Sequence, residues 1–314
     1  MVAVQATSLR PWSHSRSQMM NTCQRQFFFT YCAGARWDHS DPRMRELSLL
    51  KQVKPIAMWK GEIVHLAIGR YFSDLKAGRK LTLSQLTQFA ERLASKQWAF
   101  SQSRRYRREG RFRAGDAFAA LFEHEYGIQG SETLEDALAH IRTCLTNFDA
   151  LDLQWSISKA FREGTQHLVE PPAWGDGATT FVLPEIKATV KVDLAFATPD
   201  RRYLIFDWKT GKTEEDAAAQ LEAYALWAHL SLGWPFENIV AHEVSLFRAE
   251  VSLTQLTPSA ASYRSEQIRR SADLITALVG DDSGVSPSLA DFNYARHVSI
   301  CRRCALQRVC QEFV

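Results

Sequence analysis

An acid and a lysine that can act together lie in the stretch YLIFDWKTGKTEEDAAAQ, which runs from Tyr203 to Gln220. Its apolar first half predicts a buried central strand that ends with Asp207 and Lys209. Side chains two residues apart in a strand point to the same side, so these two share a face. Charged residues are poor core residues, and this position indicates either a reactive site or an Asp–Lys pair that caps the strand.

The same stretch contains the letters GKT, with which a phosphate-binding P-loop ends. A P-loop needs G-x-x-x-x-G-K-[ST] between a strand and a helix. Phe206 occupies the position of the first glycine, and Asp207 to Lys209 have the pattern of a strand. Backbone amides that pair in a sheet cannot wrap a phosphate, so the sequence argues against a nucleotide-binding loop.

A second carboxylate is available on the preceding strand. Residues 186–196 alternate between apolar and polar types, which predicts one half-buried strand with Asp193 on its polar face. If this strand neighbours the central one, Asp193 and Asp207 converge into an oxygen site that suits Mg²⁺ or Mn²⁺. The main-chain carbonyl of Trp208 adds a third oxygen. Lys209 can then hold the attacking water or the charge of the transition-state phosphate.

The elements that must position these residues follow from the hydrophobic period. Helices are predicted over 15–32, 58–76, 82–106, 134–150, 214–232 and 259–279, and strands over 186–196, 203–209, 239–247 and 249–253. The Pro- and Gly-containing residues 169–178 predict a loop. The order of elements predicts an α/β core with a helical N-terminal half. In the helix after the central strand, Gln220 and Tyr224 share a face and either contact phosphate or base, or are a surface amide beside a buried aromatic.

Together, Asp193, the run Asp207-Trp208-Lys209 and Gln220-x-x-x-Tyr224 resemble the motifs of the PD-(D/E)XK nuclease superfamily. They look most like its RecB-like exonuclease branch, whose motifs run G-x-x-D, D-[YW]-K-T-G and Q-L-x-x-Y. The resemblance implies a restriction-endonuclease-like fold, in which helices flank a mixed central sheet. It further implies one nuclease domain over 1–314, with a helical insertion at 78–165.

The resemblance also implies a role for a histidine on an early helix. Gly61-x-x-x-His65 stands where the branch carries a histidine that joins the metal site. Without the resemblance, a lone helical histidine is more often structural. Val190 departs from the pattern, because the branch usually has glycine three residues before its first acid.

Six cysteines in a chain of 314 residues do not form a disulfide framework, and clustered cysteines more often bind a metal or a cluster. The tail 297–314 contains C-x2-C-x5-C. With one distant N-terminal cysteine, it resembles the iron–sulfur nucleases of this branch, among them the CRISPR-associated RecB-like exonucleases and AddB-type nuclease domains. The resemblance implies a [4Fe–4S] cluster that joins the N- and C-terminal ends, held by Cys23, Cys301, Cys304 and Cys310. A four-cysteine zinc site fits the same spacing, and Cys32 and Cys144 are predicted to be small core residues.

Positive charge is concentrated in one arginine-rich segment, residues 104–113. The net charge of +3 is too small to identify a nucleic-acid binder by itself. The segment RRYRREGRFR is either a DNA-binding segment that contacts phosphates and stacks on bases, or a solvated basic loop. Its candidate residues are Arg104, Arg105, Tyr106, Arg107, Arg108, Arg111, Phe112 and Arg113.

No apolar run approaches the ~18–20 residues that a membrane span requires, and no signal-peptide core is visible, so the sequence predicts a cytoplasmic protein. The features together predict a metal-dependent DNA nuclease. We expect an exonuclease or end-processing enzyme that acts on single-stranded or frayed DNA in repair, recombination or antiphage defence, including CRISPR adaptation. The chain has no helicase motif, so unwinding would need a partner such as a helicase. A CRISPR-integration protein or another protein of a defence system is the alternative partner.

Two other classes of function remain open at this point. The first is a non-catalytic iron–sulfur or zinc DNA-binding subunit of a larger nuclease–helicase complex. The presence of Asp193, Asp207 and Lys209 argues against a non-catalytic subunit. A test for cleavage of labelled DNA with Mn²⁺ distinguishes such a subunit from a nuclease. The second is an iron–sulfur electron carrier, which explains the cysteines and leaves the acidic motif without a role.

Overall fold

The computed structural model describes residues 10–33, 41–170, 178–211, 218–280 and 287–312. The chain divides into two compact units, each assembled from separated segments. Unit 1 contains the described residues of Met1–Gln52, Thr180–Val190 and Ala261–Val314, and unit 2 contains those of Val53–Thr179 and Lys191–Ala260. That 1–314 forms one nuclease domain therefore stays a prediction.

The secondary structure of the described residues is mixed. The strands are β1 (Arg10–Ser13), β2 (Thr165–Val169), β3 (Ala178–Leu183), β4 (Ile186–Lys191), β5 (Leu194–Ala197), β6 (Tyr203–Lys209), β7 (Ile239–Ser245) and β8 (Glu250–Thr254). The helices are α1 (His14–Thr22), α2 (Gln24–Phe27), α3 (Pro42–Leu50), α4 (Ile56–Lys76), α5 (Leu83–Gln102), α6 (Arg111–Ala114), α7 (Phe122–Tyr126), α8 (Leu134–Trp155), α9 (Ile157–Glu163), α10 (Ala218–Leu232), α11 (Pro258–Val279), α12 (Val298–Arg302) and α13 (Gln307–Glu312). This content confirms the predicted α/β class.

Unit 2 is built on a five-stranded mixed sheet with the strand order β2-β5-β6-β7-β8. Strand β6 pairs antiparallel with β5 and parallel with β7, which confirms that it is a central strand. A parallel pair needs a crossover connection, and the connection from β6 to β7 contains α10. The predicted start of this helix at residue 214 lies outside the described residues.

Alternate side chains of β6 point to opposite sides of the sheet. Phe206 and Trp208 are buried in the core that α4, α5 and α8 form on one side. The ring of Phe72 on α4 stacks parallel to Trp208 at 6.3 Å, and that of Phe148 on α8 meets it edge-on at 5.7 Å. Packing of the aromatic side chains thus holds β6 in the core. Asp207 and Lys209 lie on the opposite side of the strand, where they can take part in catalysis.

The predicted single strand over 186–196 was wrong, because it is two strands in different sheets. Strand β4 pairs with β1 in a three-stranded sheet of order β1-β4-β3, whereas β5 pairs with β2 and β6. The chain changes sheet between Lys191 and Leu194. Asp193 lies at this break and is only 6% exposed, so it does not face solvent from the polar side of a strand.

The predicted helix over 15–32 is interrupted at Cys23, which has an extended backbone with φ −159° and ψ 109°. Its Sγ accepts a hydrogen bond from the Gln26 amide at 3.4 Å, so the thiol caps α2. Arg25 ties this part of unit 1 to a later segment. Its Nε donates to the Phe292 carbonyl at 3.2 Å, and its guanidinium lies 3.8 Å from the ring centre of Tyr294.

The range 78–165 contains α5 to α9 and is helical as expected, although its status as an insertion stays a prediction. Of the predicted loop over 169–178, Val169 belongs to β2, and 171–177 lie outside the described residues. Among the helices that the structure describes, none has the length and apolar character needed to span a membrane.

Candidate active site

Three side chains from distant parts of unit 2 meet at one point. His65 comes from α4, Glu170 directly follows β2, and Asp193 lies between β4 and β5. Each offers a ligand atom, and these atoms all lie within 4.8 Å of one another. His65 Nδ1 is 3.2 Å from Asp193 Oδ1 and 3.5 Å from Glu170 Oε2, and its Nε2 is 2.8 Å from the main-chain oxygen of Trp208.

Two glycines let α4 approach the other elements closely. Gly61 precedes His65 by four residues, and a Cβ at Gly61 would lie 2.8 Å from Thr210 Oγ1, just after β6. Gly69 follows His65 by four residues, and a Cβ there would lie 3.1 Å from the main-chain oxygen of Glu170. Because residues four apart share a helix face, the glycines flank the histidine on the face that meets the site.

Asp207 lies close enough to Asp193 to raise its pKa, although it is not one of the three side chains whose ligand atoms lie within 4.8 Å of one another. Asp193 Oδ2 accepts a hydrogen bond from the Trp208 amide at 2.8 Å, which joins the sheet break to the end of β6. Asp207 is 3% exposed, and its Oδ2 lies 2.8 Å from Lys209 Nζ. The direction of that approach is not that of a hydrogen bond, so among the described residues this buried oxygen has an ionic neighbour but no hydrogen-bond donor.

Gln220 and Tyr224 hold the lysine and the acid in place. Lys209 Nζ donates to Gln220 Oε1 at 2.8 Å, and Gln220 Nε2 donates to Asp207 Oδ1 at 3.2 Å and to the Tyr224 hydroxyl. That hydroxyl donates to the main-chain oxygen of Lys191 at 2.6 Å. Tyr224 is 3% exposed. In this structure the pair therefore positions the site, and the predicted contact of Tyr224 with phosphate or base is corrected by its burial.

The three converging groups perturb one another's protonation. Burial alone lowers the pKa of His65, but Asp193 and Glu170 outweigh it and raise that pKa well above its usual value. Burial raises the pKa of Asp193 to about 6, with Asp207 and Glu170 adding to the effect and His65 opposing it. Burial also acts to raise the pKa of Glu170, yet His65 and Lys191 lower it to about 2. A protonated His65 and the Lys191 ammonium thus balance the charge of clustered carboxylates.

The donor set fits a divalent cation. The predicted ligand set consists of His65, Asp193, Asp207 and the Trp208 carbonyl, of which His65 and Asp193 belong to the three side chains that meet. Glu170 joins this set and was not predicted. An acid that directly follows a strand was the available signal, and it was hidden in a stretch interpreted as a loop. Carboxylate and carbonyl oxygens suit Mg²⁺ and Mn²⁺, and an imidazole nitrogen favours Mn²⁺ of the two.

The arginine-rich segment is only partly available to a ligand. Tyr106 is 4% exposed, and its hydroxyl donates to Glu125 at 2.8 Å, so the prediction that its ring stacks on bases is corrected. Arg107 forms an ion pair with the same carboxylate, and Arg105 Nη2 lies 2.8 Å from Glu109 Oε2. Phe112 is fully exposed.

The four predicted cluster cysteines interact with one another in unit 1. Burial raises the pKa of Cys304 to about 11, and Cys23, Cys310 and Cys301 add to this effect. Burial also raises the pKa of Cys310, and Arg25 opposes it. All four cysteines are among the described residues, yet no three of their Sγ atoms form a group within 4.8 Å.

The other two cysteines differ in exposure. Cys144 is completely buried on α8, as expected for a core residue. Cys32 is only half-buried, because it ends the π-helical turn Phe28–Cys32 that follows α2, so its assignment to the core is corrected.

Comparison with known proteins gives one family. The model of the PD-(D/E)XK nuclease superfamily matches residues 11–311. The matched range contains the acidic site as well as all four interacting cysteines. A comparison with curated proteins finds no match.

Proposed function

Because this chain belongs to the PD-(D/E)XK nuclease superfamily, we propose that it cuts DNA with an active site formed by His65, Glu170, Asp193, Asp207 and Lys209. Membership indicates a metal-dependent nuclease with DNA as its substrate. The assignment of these residues is supported by one observation above all. His65, Glu170 and Asp193 bring their ligand atoms together beside Trp208, at the end of the central strand, where His65 contacts the Trp208 carbonyl and Asp193 accepts from the Trp208 amide.

The chain's own residues divide the work. His65, Glu170 and Asp193, with the Trp208 carbonyl and Asp207, would hold the divalent ion. When bound, such an ion supplies Lewis acidity toward the phosphate and lowers the pKa of a water molecule. Lys209 contributes a positive charge that Gln220 orients, and an ammonium held there can donate to the phosphate oxygens as their charge grows.

We further propose that the enzyme belongs to the RecB-like branch and processes single-stranded or frayed DNA ends. The support is the motif resemblance of Asp193, Asp207-Trp208-Lys209 and Gln220-x-x-x-Tyr224, together with Gly61 and His65. The same resemblance supports a role in repair, recombination or antiphage defence, including CRISPR adaptation, with a helicase or an integration protein as partner.

A [4Fe–4S] cluster at Cys23, Cys301, Cys304 and Cys310 is the cofactor that we propose for unit 1. Burial and the other three thiols raise the pKa of Cys304, so this thiol needs a cation in order to ionise, which fits a metal site. With bonds of about 2.3 Å and tetrahedral geometry, zinc would bring the sulfurs to about 3.8 Å from one another. The wider arrangement of these thiols supports a group with several irons over a single zinc ion.

Cleavage assays test the nuclease function directly. We expect the full-length protein with Mn²⁺ to cut end-labelled single-stranded DNA, and Asp207→Ala to abolish cutting while it preserves the fold. Glu163→Gln is the matched control, because Glu163 is an exposed acid in the same unit. Circular single-stranded DNA, which has no ends, should resist if the enzyme is an exonuclease.

Two results would refute parts of the proposal. Cutting by Asp207→Ala at the wild-type rate would show that the active site is assigned wrongly. DNA binding by a wild-type protein that never cuts, across a titration of Mn²⁺ and Mg²⁺, would favour the non-catalytic subunit.

A further inference from the structure

The segment 104–113 is fastened to unit 2 by only part of its side chains. Tyr106 and Arg107 both donate to Glu125, which is 1% exposed. Arg104 donates through Nε and Nη2 to the His124 carbonyl at 3.1 and 2.9 Å. These contacts anchor the segment to α7, so the anchoring side chains are committed to the fold.

Other side chains of the segment point into solvent. Phe112, on the single-turn helix α6, has a relative exposure of 103%. Arg108 and Arg113 are exposed on either side of it in sequence, and neither has an ion-pair partner within the described part of the chain. The guanidinium of Arg111 on α6 packs over the ring of Phe118, 4.9 Å from the ring centre. Arg111 therefore holds α6 against the residues that follow it in the chain.

The helix α7, to which the segment is anchored, contacts the beginning of the helix that carries His65. The Lys54 amide donates to the Ala120 carbonyl at 3.0 Å, and the Ile56 amide at the start of α4 donates to Glu123 at 3.0 Å. His65 follows nine residues later, which is about 14 Å along the helix at ~1.5 Å per residue. The helix that anchors the segment, α7, is thus joined to the start of α4, and His65 of the candidate active site lies near the middle of α4.

We propose that Phe112, Arg108 and Arg113 form a binding site for single-stranded DNA. Phe112 stacks on an unpaired base, and the two arginines contact the phosphates beside it. Every base has an aromatic face, so such a contact tolerates any sequence. The bases of a duplex are already stacked on each other and are not available. This inference rests on the proposed function, because it identifies which form of DNA the proposed nuclease binds.

The cationic surroundings favour a polyanion over a protein partner. A protein that docked on Phe112 would have to cover Arg108 and Arg113 as well, and neither charge has a counterion in the described structure. Phosphates on both sides of a stacked base neutralise these charges, and their counterions are released into solution. The combination of one exposed aromatic ring with flanking arginines is typical of single-strand binding surfaces.

Binding without cleavage isolates this surface. Fluorescence anisotropy of a labelled oligothymidine, in EDTA and with the full-length protein, measures affinity. We expect Phe112→Ala to weaken binding by about 5- to 150-fold, the range for loss of one stacked base, and Phe112→Trp to restore it. Leu153→Ala is the matched control, because Leu153 is 71% exposed on α8 in the same unit.

The salt dependence tests the arginines. Each lost phosphate contact lowers the slope of log K against log salt by about 0.7 for a single strand, so Arg108→Ala with Arg113→Ala should lower it by about 1.4. Arg92→Ala with Lys96→Ala removes the same charge from exposed positions on α5 and should leave the slope nearly unchanged. Unchanged thermal midpoints would show that the variants are folded.

The outcomes separate this site from the nuclease function. Wild-type affinity in Phe112→Ala, or an equal loss in Leu153→Ala, overturns the binding site even if the wild-type protein cuts DNA. Equal weakening for duplex DNA also overturns it, because paired bases cannot stack on Phe112. Phe112-dependent binding by a wild-type protein that cuts nothing keeps the site and refutes the nuclease.

Discussion

Replacement of Glu170 by glutamine tests the residue that the structure added to the candidate metal site. The substitution keeps the shape of the side chain and removes its charge. In the folded protein this carboxylate is 10% exposed and forms ion pairs with His65 and Lys191. Glu170→Gln should therefore destabilise the metal-free protein, and it should also weaken the binding of a divalent ion.

The size of the first effect follows from the pKa of Glu170. Lowering it from 4.5 to about 2 corresponds to about 3 kcal/mol of stability at neutral pH. In a unit of roughly 200 residues, each kcal/mol moves the melting temperature by about 2–4 °C. We expect Glu170→Gln to melt about 6–12 °C below the wild type in EDTA.

The dependence on pH has a defined sign. The folded-state pKa of Glu170 lies below its unfolded value, so its stabilisation is complete above pH 4.5 and is lost as the pH falls toward 2. The stability difference between wild type and Glu170→Gln should therefore narrow as the pH falls below 4.5. Urea titrations at several pH values measure this difference.

Metal ions provide the second readout. Mn²⁺ at 100 times its dissociation constant stabilises a protein by about 2.7 kcal/mol, and a tenfold weaker site gains only about 1.4 kcal/mol at the same concentration. Differential scanning calorimetry with EDTA and with Mn²⁺ gives both values, and Glu163→Gln should behave as the wild type. The assignment of Glu170 to the metal site would be refuted by a Glu170→Gln protein with two properties. Its melting temperature in EDTA would equal that of the wild type, and Mn²⁺ would stabilise it by the same amount.

Three further outcomes are expected. His65→Ala should require more Mn²⁺ for half-maximal cutting, because a nitrogen ligand is lost, and a metal titration checks this. Anaerobically purified wild-type protein should be brown, with absorbance near ~400 nm. Cys23→Ala should lose this absorbance and Cys144→Ala should keep it, which absorbance spectra and iron analysis measure. Tyr106→Phe should cost about 1–3 kcal/mol of stability by urea titration, because Glu125 loses a buried donor, yet bind DNA normally.

Each of these expectations has a contrary result. Unchanged metal dependence in His65→Ala would make the histidine structural. One zinc and no iron in the wild-type protein would leave a zinc staple in place of the cluster, and a brown Cys23→Ala would make Cys32 the next candidate ligand. A Tyr106→Phe protein that is stable but binds DNA weakly would return this ring to the DNA surface.

The structure was predictable from the sequence where the types of residue and their hydrophobic period indicate the same element over a short stretch. Strand β6 has apolar residues on both faces and polar ones at its end, so its central place and the common side of Asp207 and Lys209 were predictable. The prediction of one strand over 186–196 was wrong because apolar and polar residues alternate without interruption from Ile186 to Phe196. Nothing local marks the change of sheet, which depends on distant partners in β1 and β6.

Other failures have the same physical origin. The contact between Glu170 and His65 joins residues 105 positions apart, and no spacing in the sequence signals it. Tyr106 looked exposed among arginines, but Glu125 supplies a buried acceptor from another helix. Cys23 breaks its helix although the apolar pattern continues through it, because its thiol caps the next helix.

The interrupted layout of the two units has a consequence for the newly made chain. Unit 2 draws its last residue from Ala260, whereas unit 1 needs Cys23 from the beginning and Cys310 from much later. At about 5–20 residues per second, the roughly 50 residues between Ala260 and Cys310 take about 3–10 s to synthesise. All residues of unit 2 have then been synthesised, whereas Cys23 still lacks the three cysteines with which we propose that it binds the cluster. In the order of synthesis, the proposed four-cysteine site is therefore completed only after unit 2.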